Sequence, residues 1–318
     1  MVIRHSIAWS PTPDVLRETL DGGQAFRWYP TSGDTWRGQW SAHAIELHPA
    51  PSPSPASPAR ASIELRYSSL IDGASPSTPD LARYFAADRD WDALADALPW
   101  RSDPHLARCL AAFPGLRILR QPFGETLLGF LCSATKQIVQ IKQMLALLAT
   151  RHGAPLAHPR PPPKSPPGRT IGHWSLDIGH SPARLPTWAE LAAIPEADLR
   201  ACQLGFRARY IKATADFLAA NPTWLADTEA APYVVAKARL CSLPGVGEKV
   251  ADCVLLFGAG RLEAFPVDTW IIKAMTRHYG LDGWTPAQVA HFGRQHFGPA
   301  AGYAQQFLFA WERAHGAR

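Results

Sequence analysis

Leu243 to Cys253 read LPGVGEKVADC, and no other segment narrows the folds open to this chain so far. Helical spacing leads into it through ARLCS and continues from it through EKVADCVLLFGA. Between the two, Pro-Gly-Val-Gly forces a tight turn, because proline fixes its own φ and the glycines let the backbone bend and approach another molecule closely. Residues 236–258 are therefore expected to form a helical hairpin. Amides opening its second helix lack acceptors within the helix, and the helix dipole favours an anion there. A DNA phosphate suits that position, gripped through Gly245, Val246 and Gly247 without choice of sequence. An ordinary turn between two helices would use the same residues for shape alone.

Lys249 and Cys253 are four residues apart, so they share one stripe of the second helix, with Leu256 a turn further. Val250, Val254 and Phe257 are expected to face the core beside them. A lysine bordering apolar surface loses hydration, its pKa falls, and the free amine becomes a usable nucleophile. The commoner fate of a helix lysine is to snorkel into solvent. Further on, AFPVDTWIIKAM places Asp268 just before a helical run, the position of an N-cap. A capping carboxylate is held rigidly and can still offer its second oxygen to a substrate. A lysine amine and a fixed aspartate in one cleft suit attack at an anomeric carbon, the carboxylate stabilising oxocarbenium-like charge.

The rest of the chain supplies a scaffold. QAFRWY, TWRGQW, HAIELH and ASIELRYS are short aromatic and β-branched segments with partial alternation, expected as antiparallel strands. TPDLARYFAADRDWDALADAL starts with a Thr-Pro-Asp cap and continues with helical spacing. From Phe123 the pattern is helical: FGETLLGFLCSATKQIVQIKQMLALLATRHG runs to Gly153, and helical segments resume at TWAELAAI and continue to AGYAQQFLFAWERA. Two Pro-rich stretches, 49–62 and 155–186, are too rich in proline for packed elements. The expected class is α+β, a small sheet domain over 1–122 followed by a helical body over 123–318. With 318 residues, 47% of them hydrophobic, such a chain can bury a real core. The net charge of +5 allows a polyanionic partner without demanding one. Cys109, Cys132, Cys202, Cys241 and Cys253 lack CxxC spacing and fit reduced thiols. MVIRHSIAWSPTPD has no apolar signal-like stretch, and no apolar run reaches the ~18 residues that span a bilayer. A soluble intracellular protein is expected, in the cytoplasm and nucleoid of a bacterium or the nucleus of a eukaryote.

With these residues assembled, the chain resembles the 8-oxoguanine DNA glycosylases of the helix-hairpin-helix superfamily. LPGVGEKVADC and the following PVD match their hairpin, catalytic lysine and catalytic aspartate. DGGQAFRW, LRQPFGETLLGFLCSATKQI, LGFRARYI and GPAAGYAQQFLF match further segments in the same order, leaving out the Pro-rich inserts. The resemblance implies a TBP-like sheet domain and a helical glycosylase body. It implies a bifunctional enzyme that flips the damaged nucleotide out of duplex DNA. Lys249 would attack C1′ with assistance from Asp268, and a Schiff base would lead to β-elimination. Gly23 matches a glycine whose carbonyl accepts the N7–H that 8-oxoguanine has and guanine lacks. Gln305 matches the reader of the Watson–Crick edge, Phe309 the aromatic that stacks on the base, and Cys253 would lie against the opposite face. Read locally, Gly23 is a turn glycine and the Gln305/Phe309 pair a partly buried helix face.

Arg207 in GFRARYI matches an arginine that contacts the orphaned cytosine; locally, Arg207 and Arg209 read as a solvated basic helix start. Where the family has a run of asparagines, this chain has Thr135, Lys136 and Gln137, and Gln140 replaces a second arginine. Trp270 stands where a histidine is common. A weaker preference for cytosine opposite the lesion is expected, with Lys136 contacting the strand. No cysteine follows Cys253, so an iron–sulfur loop is not expected, and His173 and His180 lack metal-site spacing. No cofactor is required, although the resemblance implies Na+ or K+ held at the hairpin by the carbonyls of Cys241, Leu243 and Val246. The partner expected is double-stranded DNA with an oxidised base, bound by a monomer away from any membrane. Two rivals stand beside this reading: an alkyl-base glycosylase on the same fold, which would lack the lysine, and a non-catalytic hairpin module that merely binds DNA.

Overall fold

The computed structural model describes residues 5–7, 9–31, 35–51, 63–70, 76–156 and 183–316. Residues 52–62 and 157–182 of the two Pro-rich stretches lie outside the described residues, as do His173 and His180.

Five antiparallel strands, β1 (His5–Ile7), β2 (Trp28–Pro30), β3 (Trp36–Trp40), β4 (His43–Pro51) and β5 (Ile63–Ser69), form a sheet in the order β1-β5-β4-β3-β2. The alternating segments thus pair as expected, except that QAFRWY becomes strand only at Trp28. Strand β1 and the helix α1 (Pro13–Asp21) were not anticipated; Thr12 caps α1, and Val15, Leu16, Thr19 and Leu20 form its buried face. TPDLARYFAADRDWDALADAL splits into α2 (Thr78–Tyr84) and α3 (Trp91–Ala97), because Ala86 turns the chain at φ 44°. Its cap is Ser77, one residue before the expected Thr-Pro-Asp, in a reciprocal pair with Asp80. Helix α4 (Pro104–Ala112) leads into the body.

The body comprises α5 (Phe123–Leu131), α6 (Ile138–His152), α7 (Trp188–Ala193), α8 (Glu196–Leu199), α9 (Arg207–Ala220), α10 (Trp224–Ala230), α11 (Tyr233–Cys241), α12 (Glu248–Val254), α13 (Thr269–Tyr279), α14 (Pro286–Phe297) and α15 (Ala301–His315). The run from Phe123 to Gly153 is two helices rather than one, broken where Thr135 adopts φ 55°. One hydrophobic core crosses from sheet to body: Phe26 meets Phe130 edge-on at 5.2 Å, and Trp91 lies 5.0 Å from Tyr303 on α15. Full burial of each such side chain stabilises the fold by roughly 1.5–3 kcal/mol. The last helix, α15, packs on α4, α13 and α14, which returns its residues to the turn after α1. No helix of the described residues is long and apolar enough to cross a membrane.

Candidate active site

The expected hairpin is α11, a tight turn and α12. Gly245 holds φ 79°, and a Cβ there would stand 2.7 Å from the ring of Tyr210, so both backbone and neighbour require glycine. Val246 is buried and closes the turn by donating its N–H to the Leu243 carbonyl at 3.1 Å. Gly247 occupies the N-cap of α12 without any side chain to cap it, and Gly245, Gly247 and Glu248 are exposed. The first amides of α12 are thus left open to an external acceptor.

Lys249 is half-buried as the second residue of the hairpin's second helix, its Nζ 5.3 Å from the centre of the Phe130 ring. Cys253 beneath it is buried, and burial pushes its thiol up to about 12 despite the opposing charge of Lys249. A π-turn over Leu255–Ala259 then adds one residue to the helical period. Phe257 joins Lys249 and Cys253 on the pocket wall, while Leu256, expected on that stripe, is fully buried. Val250, Val254 and Phe257 are buried in the core as expected.

Asp268 is the N-cap of α13, accepting the Ile271 N–H at 2.9 Å. Burial raises its carboxyl above the ordinary aspartate range; the Ile271 amide and the positive charge of Lys249 act against that rise.

Lys249, Asp268, Gly23, Cys253, Gln305 and Phe309 all line one pocket of ≈ 50 Å³, room for a few waters rather than a base. Phe130, Phe257, Pro266 and Gln306 complete its walls. Gly23 holds φ 108°, and a Cβ there would meet only ordinary contacts, the nearest to Ile138 at 3.4 Å. Its backbone conformation, not crowding, calls for glycine. The Gln305 amide is buried and preset: Nε2 donates to the Pro266 carbonyl at 3.1 Å, and Oε1 accepts from Gln306 Nε2 at 2.7 Å. Phe130 and Gln306 were not singled out from the sequence. The only local signal was their membership in the helical runs that the family segments share.

Thr135, Lys136, Gln140 and Arg207 do not line that pocket. Arg207 is no solvated helix start: it is 3% exposed and donates to the Ala134 carbonyl (3.1 Å from Nε), Thr135 Oγ1 (3.0 Å) and the Leu204 carbonyl (3.2 Å). It pins the loop that carries Thr135, whereas Arg209 is exposed, donates to the Tyr210 hydroxyl at 2.7 Å and lies over the Tyr210 ring. Gln140 is exposed and spends its Oε1 on the Gln137 N–H at 3.1 Å, capping α6. Phe206, beside Arg207, is 45% exposed, an uncovered aromatic that the sequence reading passed over. Among the described residues, no cluster of three or more His, Cys, Asp or Glu is arranged to hold a metal ion.

Comparison with known proteins places these features in context. Residues 6–127 match the model of the 8-oxoguanine DNA glycosylase N-terminal domain, and residues 168–298 match that of the HhH-GPD superfamily of base excision DNA repair proteins. A probable N-glycosylase/DNA lyase of Methanothermobacter thermautotrophicus is 31% identical over 232 residues, covering 70% of this chain and 72% of that protein. The N-glycosylase/DNA lyase OGG1 of Arabidopsis thaliana is 28% identical over 310 residues, covering 92% of this chain and 76% of the relative. The crystal structure of Clostridium acetobutylicum 8-oxoguanine glycosylase/lyase, bound to double-stranded DNA with cytosine opposite 8-oxoG, superposes with a TM-score of 0.79. It is 26% identical, and the match covers 99% of each chain.

Proposed function

Because this chain belongs to the 8-oxoguanine DNA glycosylases of the helix-hairpin-helix superfamily, we propose that it excises 8-oxoguanine from double-stranded DNA and nicks the strand through Lys249. It is a DNA N-glycosylase with DNA lyase activity, and DNA is its partner. The observation that carries the finer reading is the convergence of Lys249, Asp268, Gly23, Cys253, Gln305 and Phe309 on one pocket behind the hairpin.

In this mechanism the open amides of the hairpin hold a phosphate beside the lesion, and the damaged nucleotide rotates out of the stack. The pocket must widen to take it. The Lys249 amine attacks C1′, the C1′–N9 bond breaks, and the base leaves with the bonding pair and a proton given up by Nζ. Asp268 stabilises the positive charge that builds on the sugar. Ring opening gives a Schiff base between Nζ and C1′. Loss of a C2′ proton then expels the 3′ phosphate, and water releases the lysine. The Gly23 carbonyl accepts N7–H of 8-oxoguanine; guanine would bring an unprotonated N7 there, leaving two acceptors facing each other in a buried site. The Gln305 amide can donate and accept at the Watson–Crick edge, with Phe309 and Cys253 on the two faces of the base.

Thr135, Lys136 and Gln140 face the orphaned base in this reading, with Arg207 supporting them through the loop it pins and a weaker preference for cytosine than a double-arginine reader would give. The hairpin carbonyls fit a monovalent cation: Leu243 spends one lone pair on Val246, and α11 ends there with the negative end of its dipole. Cys241, Leu243 and Val246 would hold Na+ or K+, whose charge would favour a phosphate at the turn. The protein acts as an intracellular monomer.

Duplexes carrying one 8-oxoguanine opposite each of the four bases test the proposal. Strand breaks at the lesion without alkali support both steps. Breaks only after alkali leave excision standing and remove the lysine from the chemistry. No break under either condition overturns the substrate.

A further inference from the structure

Gly22 and Gly23 make the turn after α1, and Gly23 lines the base pocket. A Gly-Gly turn has no side chain with which to hold itself in place, and Gly23 sits at φ 108°. Arg313, near the end of α15, does so from outside. Its Nη1 donates to the Gly22 carbonyl at 2.9 Å and to both carboxylate oxygens of Glu18 at 3.0 and 3.1 Å. The same guanidinium lies 5.5 Å from the centre of the Phe309 ring. One side chain therefore touches the residue before Gly23 and the Phe309 ring, whose Cζ comes within 4.0 Å of a Cβ placed on Gly23. On the other side of the turn, Lys142 of α6 binds the Asp21 carboxylate and donates to the Trp28 carbonyl at 2.6 Å. The turn is clamped from two helices, but only the Arg313 clamp reaches a pocket wall as well.

We propose that Arg313, oriented by Glu18, is a positioning residue that sets Gly23 and Phe309 at the spacing needed to recognise the oxidised base. The inference rests on the reading of this pocket as the 8-oxoguanine site. Recognition through one N7–H to carbonyl contact depends on sub-ångström placement of that carbonyl. Nicking of an abasic site needs Lys249 but no base in the pocket, so the two activities separate base recognition from general integrity.

The experiment compares the full chain with Arg313→Ala, Arg313→Lys and Glu18→Gln. It measures single-turnover excision of 8-oxoguanine opposite cytosine, nicking of a preformed abasic site, and Tm. Arg313→Ala should slow excision by about ten- to a hundredfold, the scale of one charge-assisted hydrogen bond, while abasic-site nicking changes less than about twofold. Arg313→Lys keeps a cation for Glu18 but loses the planar guanidinium that lies over Phe309, so it should show a smaller loss in the same direction; it carries the test if Arg313→Ala does not fold. Equal losses in both activities, or none in either, would overturn the inference. A wild-type protein that nicks abasic DNA yet ignores 8-oxoguanine would overturn the substrate reading, and this inference with it.

Discussion

The Nζ of Lys249 stands 5.3 Å from the centre of the Phe130 ring, and both side chains line the pocket that Asp268 also lines. The ring flanks Nζ and limits where the side chain can swing. Phe130 also stacks on Phe257 at 5.6 Å and meets Phe26, so it is both wall and core. Phe130→Leu should slow attack on C1′ by up to about a hundredfold, the scale of a misplaced reacting group. It should also cost about 1–3 kcal/mol in stability. Single-turnover excision and urea titration read the two effects separately.

Asp268 allows a prediction whose two halves have opposite sign. Its carboxyl is raised above the ordinary 3.8 by burial, so the folded protein holds that proton more tightly than the unfolded chain does. The group's contribution to stability is therefore full at low pH and is lost as pH rises from the unfolded to the folded value. At neutral pH its charge is a cost. Asp268→Asn keeps an N-cap of equal quality and removes that cost. Tm at pH 7 should hold or rise, while excision falls by about a hundredfold or more. In the unaltered protein the acid limb of the excision rate should lie above 3.8, as protonation removes the carboxylate.

Gly245→Ala should damage the hairpin in two ways. It strains a backbone at φ 79° and drives a methyl to within 2.7 Å of Tyr210. A loss of about 1–3 kcal/mol in stability is expected. Affinity for undamaged duplex should fall as well, since the turn amides are displaced. Circular dichroism melts and a DNA titration at fixed salt check both.

The cysteines should separate cleanly by reactivity. Cys253 is buried and pushed up to about 12, so almost none of it is thiolate at neutral pH; Cys241 is exposed. Iodoacetamide at pH 7 should alkylate Cys241 first and Cys253 only on unfolding, as peptide mass mapping would read.

Much of this was legible because it is local. Pro-Gly-x-Gly turn chemistry marked the hairpin, and a carboxylate before a helical run marked Asp268 as a cap. Alternation found the longer strands, but β1 has three residues and no period to detect. Helix α1 did carry a readable face in Val15, Leu16, Thr19 and Leu20, behind a Thr12-Pro13-Asp14 start of the kind that opens a helix. Non-local causes were out of reach. Thr135 breaks the helical run at φ 55°, and the arginine bonded to its hydroxyl, Arg207, lies 72 residues away. Phe257 lines the pocket while also packed in the core, a double role that hydrophobic spacing alone does not distinguish.

The most direct test of Lys249 as nucleophile is borohydride trapping on a duplex with a single 8-oxoguanine. The account predicts a covalent protein–DNA adduct that forms with the wild-type chain and disappears in Lys249→Ala. Base release with no adduct from the wild type, or an adduct that persists in Lys249→Ala, would contradict it.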